Sequence, residues 1–325
     1  VRLPVKTLFS SPPGLMRKPL RSLIKYPLCA EKRISGEIMH DKAATLIEAL
    51  PYIQMFCGKV VVVKYGGSTM VDEGGEDTVP QDIVFMQSVG ICPVVVHGGG
   101  PAISQRLQEQ GVETKRVNGL RVTDEETMRV VESVLFGEVN AQIVRGINDL
   151  QGQSVGVSAK DSGVMQVRKH YALSEGGPVD IGYVGAVEHI DTGPLLDLIG
   201  KGLVPVVAPI GRGPEGESFN VNADTAAGEI AAALHAEKLV FMTDVQGIMR
   251  DPADEDSLLS TMRVSEVDEL IGQGVISGGM IPKVEACAKA VKSGVRKTHV
   301  IDGRVPHAML LEFLTREGIG TQIVQ

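Results

Sequence analysis

The chain has 325 residues, 43% of them hydrophobic, with 38 glycines, no tryptophan and a formal charge of −8. That is enough apolar material for a large core, usually divided into two domains, and the glycine-rich, aromatic-poor balance suits strand–helix alternation better than an all-β sandwich. The acidic charge argues against nucleic acid as a partner, no apolar run approaches the ~18 residues of a membrane helix, and the four cysteines form neither a CxxC pair nor a metal spacing, which suits a reducing compartment.

In chain order, residues 1–30 carry Arg2, Lys6, Arg17, Lys18, Arg21 and Lys25 and no acidic residue. A basic leader ahead of an acidic globule looks like the remnant of an organelle transit peptide; an ordinary disordered N-terminus is the plainer alternative. Next, "DKAATLIEALPYIQMF" holds Leu46, Ile47, Leu50, Ile53 and Phe56 at helical spacing. Asp41 can cap its start, and Pro51 should kink it. This helix, taken with residues 31–57, either docks on another subunit or packs on its own domain. From Lys59 onward, apolar strands are expected at 60–64, 94–97, 154–158, 204–208, 238–243 and 297–301. Helices are expected at 101–110, 125–149, 223–235 and 283–293. Such alternation implies a mainly parallel sheet covered on both faces, with ligands at the carboxyl ends of its strands.

The stretch "VVVHGGGPA" ends a strand in His97, Gly98, Gly99 and Gly100 and opens a helix at Pro101. Bare backbone N–H groups at a helix N-terminus make an anion site. Phosphate is one occupant, and the oxyanion of an esterase with an HGGG loop is another. Gly152-Gln-Ser154-Val-Gly156 matches the esterase G-x-S-x-G, but Ser154 starts a strand instead of ending one, so the nucleophile elbow fails. Gly211-Arg-Gly213-Pro-Glu-Gly216 matches a dinucleotide fingerprint. It runs into extended residues where a helix is required, so a loop or hairpin is expected. Neither Gly-Lys pair precedes Ser or Thr, which excludes a P-loop.

What remains is a set of cations and amides. "VVVVKYGGS" puts Lys64 at a strand end beside Gly66 and Gly67, and "SGGMIPKVEACAKA" puts Lys283 in the first turn of a helix behind Gly278 and Gly279. A lysine at a helix N-terminus opposes the macrodipole, which suggests a functional site or a bound anion. "NGLRVTD" offers Arg121 in a turn as a clamp for a carboxylate. "SFNVNADTAAG" offers Asn220 and Asn222 on alternate residues, then Asp224; taken alone, Asn222 or Asp224 could simply cap the following helix.

These segments also carry a resemblance. KYGGS, HGGGP, NGLRVTD, FNVNADTAAGE, LVFMTDVQGI and GGMIPKV stand in the order and spacing of the amino-acid kinase family, on its N-acetylglutamate branch, from about Ala43 to Gln325. The resemblance implies a three-layer αβα sandwich with a mainly parallel central sheet, an N-terminal lobe at 58–236 for the acetylamino acid and a C-terminal lobe at 237–325 for ATP. It implies phosphorylation of the side-chain carboxylate of N-acetyl-L-glutamate. That carboxylate is already ionised at neutral pH, so no general base is needed, and alignment with charge neutralisation does the rest. By resemblance, Lys64 and Lys283 flank the moving phosphoryl group, the amides of Gly67 and Gly99 bind its oxygens, and Asp224 holds both lysines. Gly98 to Gly100, Arg121, Asn220 and Asn222 bind the substrate. Gly66, Gly67, Thr243, Asp244 and Gly279 join the lysines around ATP, whose phosphates hold Mg²⁺. No metal site of the protein's own is expected.

The chain ends resemble the arginine-inhibited plastid members. There an N-terminal helix interlaces dimers into a hexamer, and Tyr52, Lys238, Glu312, Gly318 and Gly320 would lie near arginine. Some of those members bind a PII-type signal protein, for which no motif here speaks. Ser104, Ala159 and Gln322 depart from the usual pattern, the first beside the substrate. A catalytically silent arginine-sensing domain, or a kinase of carbamate, aspartate or glutamate, stays open as an alternative.

Overall fold

The computed structural model describes residues 36–66, 77–174, 177–251, 253–316 and 318–325. The basic leader and Gly67 lie outside the described residues. Contacts divide the chain into two units, Val1–Thr45 and Leu46–Gln325; of the first, only residues 36–45 are described, and they are helical. Helix α1 (Gly36–Phe56) carries Pro51 inside it without a break. It starts five residues before Asp41, which therefore does not cap it: Glu37-Ile-Met-His extends the helical run upstream.

The second unit alternates strands and helices. It opens with β1 (Val60–Tyr65), α2 (Val79–Ser88), β2 (Cys92–His97), α3 (Gly100–Glu109), the short hairpin β3 (Arg116–Val117) and β4 (Leu120–Arg121), and α4 (Glu125–Glu132). A π-helical segment (Ser133–Asn140) joins α4 to α5 (Ala141–Asp149), so the expected helix 125–149 is continuous but locally underwound, with about one residue more per turn. Then come β5 (Ser154–Ser158), a long hairpin of β6 (Met165–Ser174) and β7 (Gly177–Ile190), α6 (Gly193–Gly200), β8 (Val204–Ala208), β9 (Ile210–Arg212), β10 (Ser218–Asn220), α7 (Ala223–Ala233) and β11 (Lys238–Thr243). The chain finishes with β12 (Thr261–Arg263), α8 (Val267–Gly272), α9 (Met280–Lys292), β13 (Lys297–Asp302), α10 (Ala308–Leu314) and β14 (Thr321–Val324).

One eight-stranded sheet runs β12-β14-β13-β11-β1-β2-β8-β5. The six strands from β13 to β5 are parallel, while β14 pairs antiparallel with β13 and parallel with β12. These six are the strands expected from apolar runs, as befits strands buried on both faces. Their alternate side chains feed two cores: Val62, Val94, Val96 and Phe241 face the layer of α7, α8 and α9, whereas Val61, Val63, Val95 and Val240 face α2, α3, the π segment and α5. Three layers result, with the sheet crossing residue 237 unbroken. The glycine-rich stretch at 211–216 ends β9 and turns into β10 of an antiparallel hairpin, as its extended flank requires. Strands β6, β7, β9 and β10 close on themselves as a second, smaller sheet. No helix among the described residues is long and apolar enough to cross a membrane.

Candidate active site

The carboxyl ends of β1 and β2 open into a cavity of about 180 Å³, closed on the far side by the β4 and β10 strands and the start of α7. Lys64, the fifth residue of β1, is 7% exposed. Asp224, in the first turn of α7, faces it: Lys64 Nζ lies 3.0 Å from Oδ1, and Lys283 Nζ, on α9, lies 2.8 Å from Oδ2. The Lys283 contact is an aligned hydrogen bond, whereas the Lys64 contact is an ion pair without that alignment. Burial pushes the Asp224 carboxyl up, but the two ammonium groups outweigh it and hold it below the ordinary carboxylate range. Two cations on one anion leave a net positive charge at the cavity wall.

The glycines shape the approach. Gly66 adopts a positive φ of 140°, and a Cβ there would stand 2.7 Å from the Gly98 amide nitrogen. At Gly99 the backbone is extended, and the missing side chain makes room for Leu135 instead, 2.5 Å from where a Cβ would sit. Gly99 is also the N-cap of α3, and no side chain caps that helix, so its first-turn amides are available to an anion. Helix α9 likewise begins behind Gly279 without a side-chain cap.

Across the cavity stands Arg121, 6% exposed. It sits in strand β4 and not in the turn itself, which is Asn118-Gly119 at φ of 50° and 79°. Its Nη2 donates to the Gly100 carbonyl at 3.0 Å and to Ser104 Oγ at 2.7 Å, while Nη1 is buried without a partner. Burial, and then the nearby Arg116, push its guanidinium down from the usual arginine value. Arg116 is directly opposite Arg121 in the ladder and lines the cavity too. Like charges at that register are unfavourable unless an anion joins them. Sequence reasoning passed over Arg116; its signal was the Asn-Gly turn, which pairs the residues on either side. Ser104, a departure from the usual residue, fixes Arg121 by accepting its hydrogen bond and donating one to Gly100.

Asn220 and Asn222 both line the cavity. Asn220 Nδ2 donates to Thr123 Oγ1 at 3.4 Å. Asn222 Oδ1 accepts from the N–H groups of Asp224 and Thr225, so it caps α7 as well. Thr243 and Asp244, expected around the nucleotide, do not line this cavity. The Thr243 hydroxyl is turned onto the backbone of Val245 and Ile301, and Asp244 is exposed at the carboxyl end of β11.

A second cavity, of about 580 Å³, gathers Tyr52, Lys238, Glu312, Gly318 and Gly320. Glu312 Oε1 accepts from His299 Nδ1 at 2.6 Å, and Oε2 accepts from the N–H groups of Ile319 and Gly320 at 2.8 and 3.2 Å. Burial pushes the Glu312 carboxyl up, but His299 and these donors bring it below its ordinary value. Lys238 lies over the rings of Phe56 and Phe313, 4.8 and 4.5 Å from their centres, and burial pushes its ammonium down to about 8. The two phenylalanines were not anticipated; their signal is only that each ends an apolar helical stripe.

Known proteins resolve what this arrangement belongs to. Residues 59–302 match the model of the amino acid kinase family. The acetylglutamate kinase of Heliobacterium modesticaldum is 52% identical over 88% of this chain and 98% of its own length, and that of Halothermothrix orenii is 48% identical over 89% and 99%. Among solved structures, N-acetylglutamate synthase from Neisseria gonorrhoeae, complexed with coenzyme A and N-acetyl-glutamate, superposes with a TM-score of 0.77 at 26% identity. This chain is covered to 87% in that match and spans 63% of the synthase. Carbamate kinase from Giardia lamblia, at 16% identity, a TM-score of 0.59 and coverages of 82% and 98%, shares the fold. The strand order, the lysine–aspartate–lysine bridge and these likenesses agree: the chain belongs to the amino acid kinase family, among its acetylglutamate kinases.

Proposed function

We propose that the first cavity binds N-acetyl-L-glutamate and that its side-chain carboxylate attacks the γ-phosphorus of ATP there, yielding N-acetylglutamyl 5-phosphate and ADP for arginine biosynthesis. The observation that carries this is Asp224 bridging Lys64 and Lys283 at one wall while Arg121 offers a buried, unpartnered N–H at the other. The two lysines neutralise charge on the phosphoryl group as it moves, and Asp224 keeps them apart at a fixed spacing. Gly67 and Gly99 supply amides to the equatorial oxygens. Arg121 clamps the α-carboxylate, and Asn220 and Asn222 take the rest of the substrate. Gly66, Thr243, Asp244 and Gly279 flank the nucleotide; Thr243 does so through backbone, given where its hydroxyl points. Both Asp224 oxygens are committed to lysines, which leaves Mg²⁺ to the ATP phosphates, where it offsets their charge.

The second cavity takes arginine as feedback effector. Glu312 is suited to a guanidinium, and Lys238 with its aromatic neighbours to the other end of the ligand. Subunits assemble as a hexamer through α1, whose Leu46, Ile47 and Leu50 are 69%, 68% and 44% exposed. The leader directs the chain to a plastid, and a PII-type partner is carried over from that branch alone. The test is hydroxylamine trapping of acyl phosphate from N-acetylglutamate, glutamate and aspartate, each with and without millimolar arginine. Product from N-acetylglutamate alone supports the substrate; product unaffected by arginine removes the effector assignment and keeps the kinase.

A further inference from the structure

Two fragments left over from the esterase-like motifs, His97 and Gly156, meet on a single side chain, Asn140 of the π-helical segment. His97 is fully buried. Asn140 Nδ2 lies 3.0 Å from His97 Nε2 and 2.8 Å from the Val206 carbonyl of β8. A carbonyl only accepts, so the amide nitrogen, with two hydrogens, must be the atom facing it. The second hydrogen then goes to His97 Nε2, which must be bare. The ring proton is therefore on Nδ1, which donates to the Gly98 carbonyl at 2.8 Å. Gly156 of β5 completes the arrangement, since a Cβ there would collide with Asn140 Oδ1. Burial keeps the ring neutral, its pKa pushed down to about 4.

The Gly98 carbonyl and the Gly99 N–H belong to one peptide unit, and no cis peptide occurs among the described residues. In a trans unit the two groups point in opposite directions. With the oxygen held against His97 in the protein interior, the N–H is turned the other way. Gly99 lines the first cavity, and Leu135 closes the space beside it. We propose that His97, locked in its Nδ1–H tautomer by Asn140, is a positioning residue that holds the Gly98–Gly99 peptide so that the Gly99 N–H faces the phosphoryl group in transfer. This rests on the phosphoryl-transfer function above. Its worth is that of a pre-aligned donor, present without reorganisation when charge moves.

Asparagine places its amide nitrogen near the position of Nδ1, and glutamine near that of Nε2, so the two variants separate the atoms. H97N should keep kcat within ~5-fold of wild type, while H97Q should lose ~10²-fold in kcat, the scale of a lost oxyanion donor. KM for both substrates should stay within ~3-fold in each, because the contact matters in the transition state. Equal kcat losses in the two variants, or losses that follow melting temperature and not the side-chain nitrogen, would overturn the proposal. Should either variant fail to fold, ¹⁵N-histidine spectra of the intact wild-type chain decide: a buried neutral ring protonated on Nδ1 supports the proposal, and one protonated on Nε2 in an active enzyme overturns it, since a bare Nδ1 cannot hold the Gly98 carbonyl. Wild-type protein that forms no acyl phosphate would remove the reaction itself, and the role of His97 with it.

Discussion

Two buried carboxylates organise the two cavities, and they are fastened in opposite ways. Asp224 meets only ammonium groups, one from β1 and one from α9, and among the described residues no backbone N–H reaches its oxygens. Glu312 rests on an imidazole and on two N–H groups of the loop that follows its own helix. The first is a minority anion among cations and leaves positive charge for an incoming phosphoryl group. The second is close to satisfied by neutral donors and anchors a loop. A buried acid thus tells little by its identity; what it accepts from decides whether the surroundings carry positive charge for an anion or keep negative charge for a cation.

The comparison can be broken at Asp224 first. D224N keeps the shape but frees both lysines, and kcat for acyl-phosphate formation should fall about 10³-fold or more, with a smaller change in either KM. K64A and K283A should each cost ~10²–10³-fold, and the double variant less than the product, because the three groups act as a unit. A loss confined to one lysine would show that the bridge is not shared. R121K should instead raise KM for N-acetylglutamate by roughly 10–100-fold with kcat little changed, the worth of a charged hydrogen bond of about 1.5–3 kcal/mol. E312Q should lower the melting temperature by a few degrees, in line with about 1–3 kcal/mol for an interrupted buried network. It should blunt any response to arginine while slowing turnover far less than D224N. If E312Q proves as slow as D224N, the contrast between the two acids fails.

The effect furthest from turnover is on acid stability. The His97 ring has a folded pKa of about 4, and His299 is also pushed down by burial, against an ordinary histidine value near 6.5. Below pH 6.5 the unfolded chain therefore binds protons that the folded chain refuses, so stability falls as pH drops from 6.5 towards 4. Melting scans across that window should show the slope, and H97N should flatten part of it.

Much of this was legible because burial on both faces leaves a plain mark. The six parallel strands carry mostly apolar, β-branched residues, and Lys64 with Gly66 and the HGGG glycines sit at the ends of two of them. The β6–β7 hairpin was missed: its RKHYAL and DIGYVGA stretches are half-exposed and mix polar with apolar residues, so no clean period emerges. The π segment was invisible because its apolar spacing still passes for an α-helix. Asn140 belongs to no motif, and only tertiary contact shows that it orders the HGGG loop. Asn222 proved to be both of the things it could have been, cap and cavity wall. Thr243 shows the converse, since a residue at the right strand end can still turn its hydroxyl away.

The order of strands has a consequence for how the chain is made. β1, with four consecutive valines, lies between β2, which follows it closely, and β11, whose first paired residue is Lys238. At ~5–20 residues per second, a nascent chain waits on the order of ten seconds or more between emergence of the two neighbours. Throughout that interval one edge of a strand that opens with four valines is an open template for a neighbouring chain. A holdase that shields that edge on the ribosome should therefore raise soluble yield more than a substitution in the finished core.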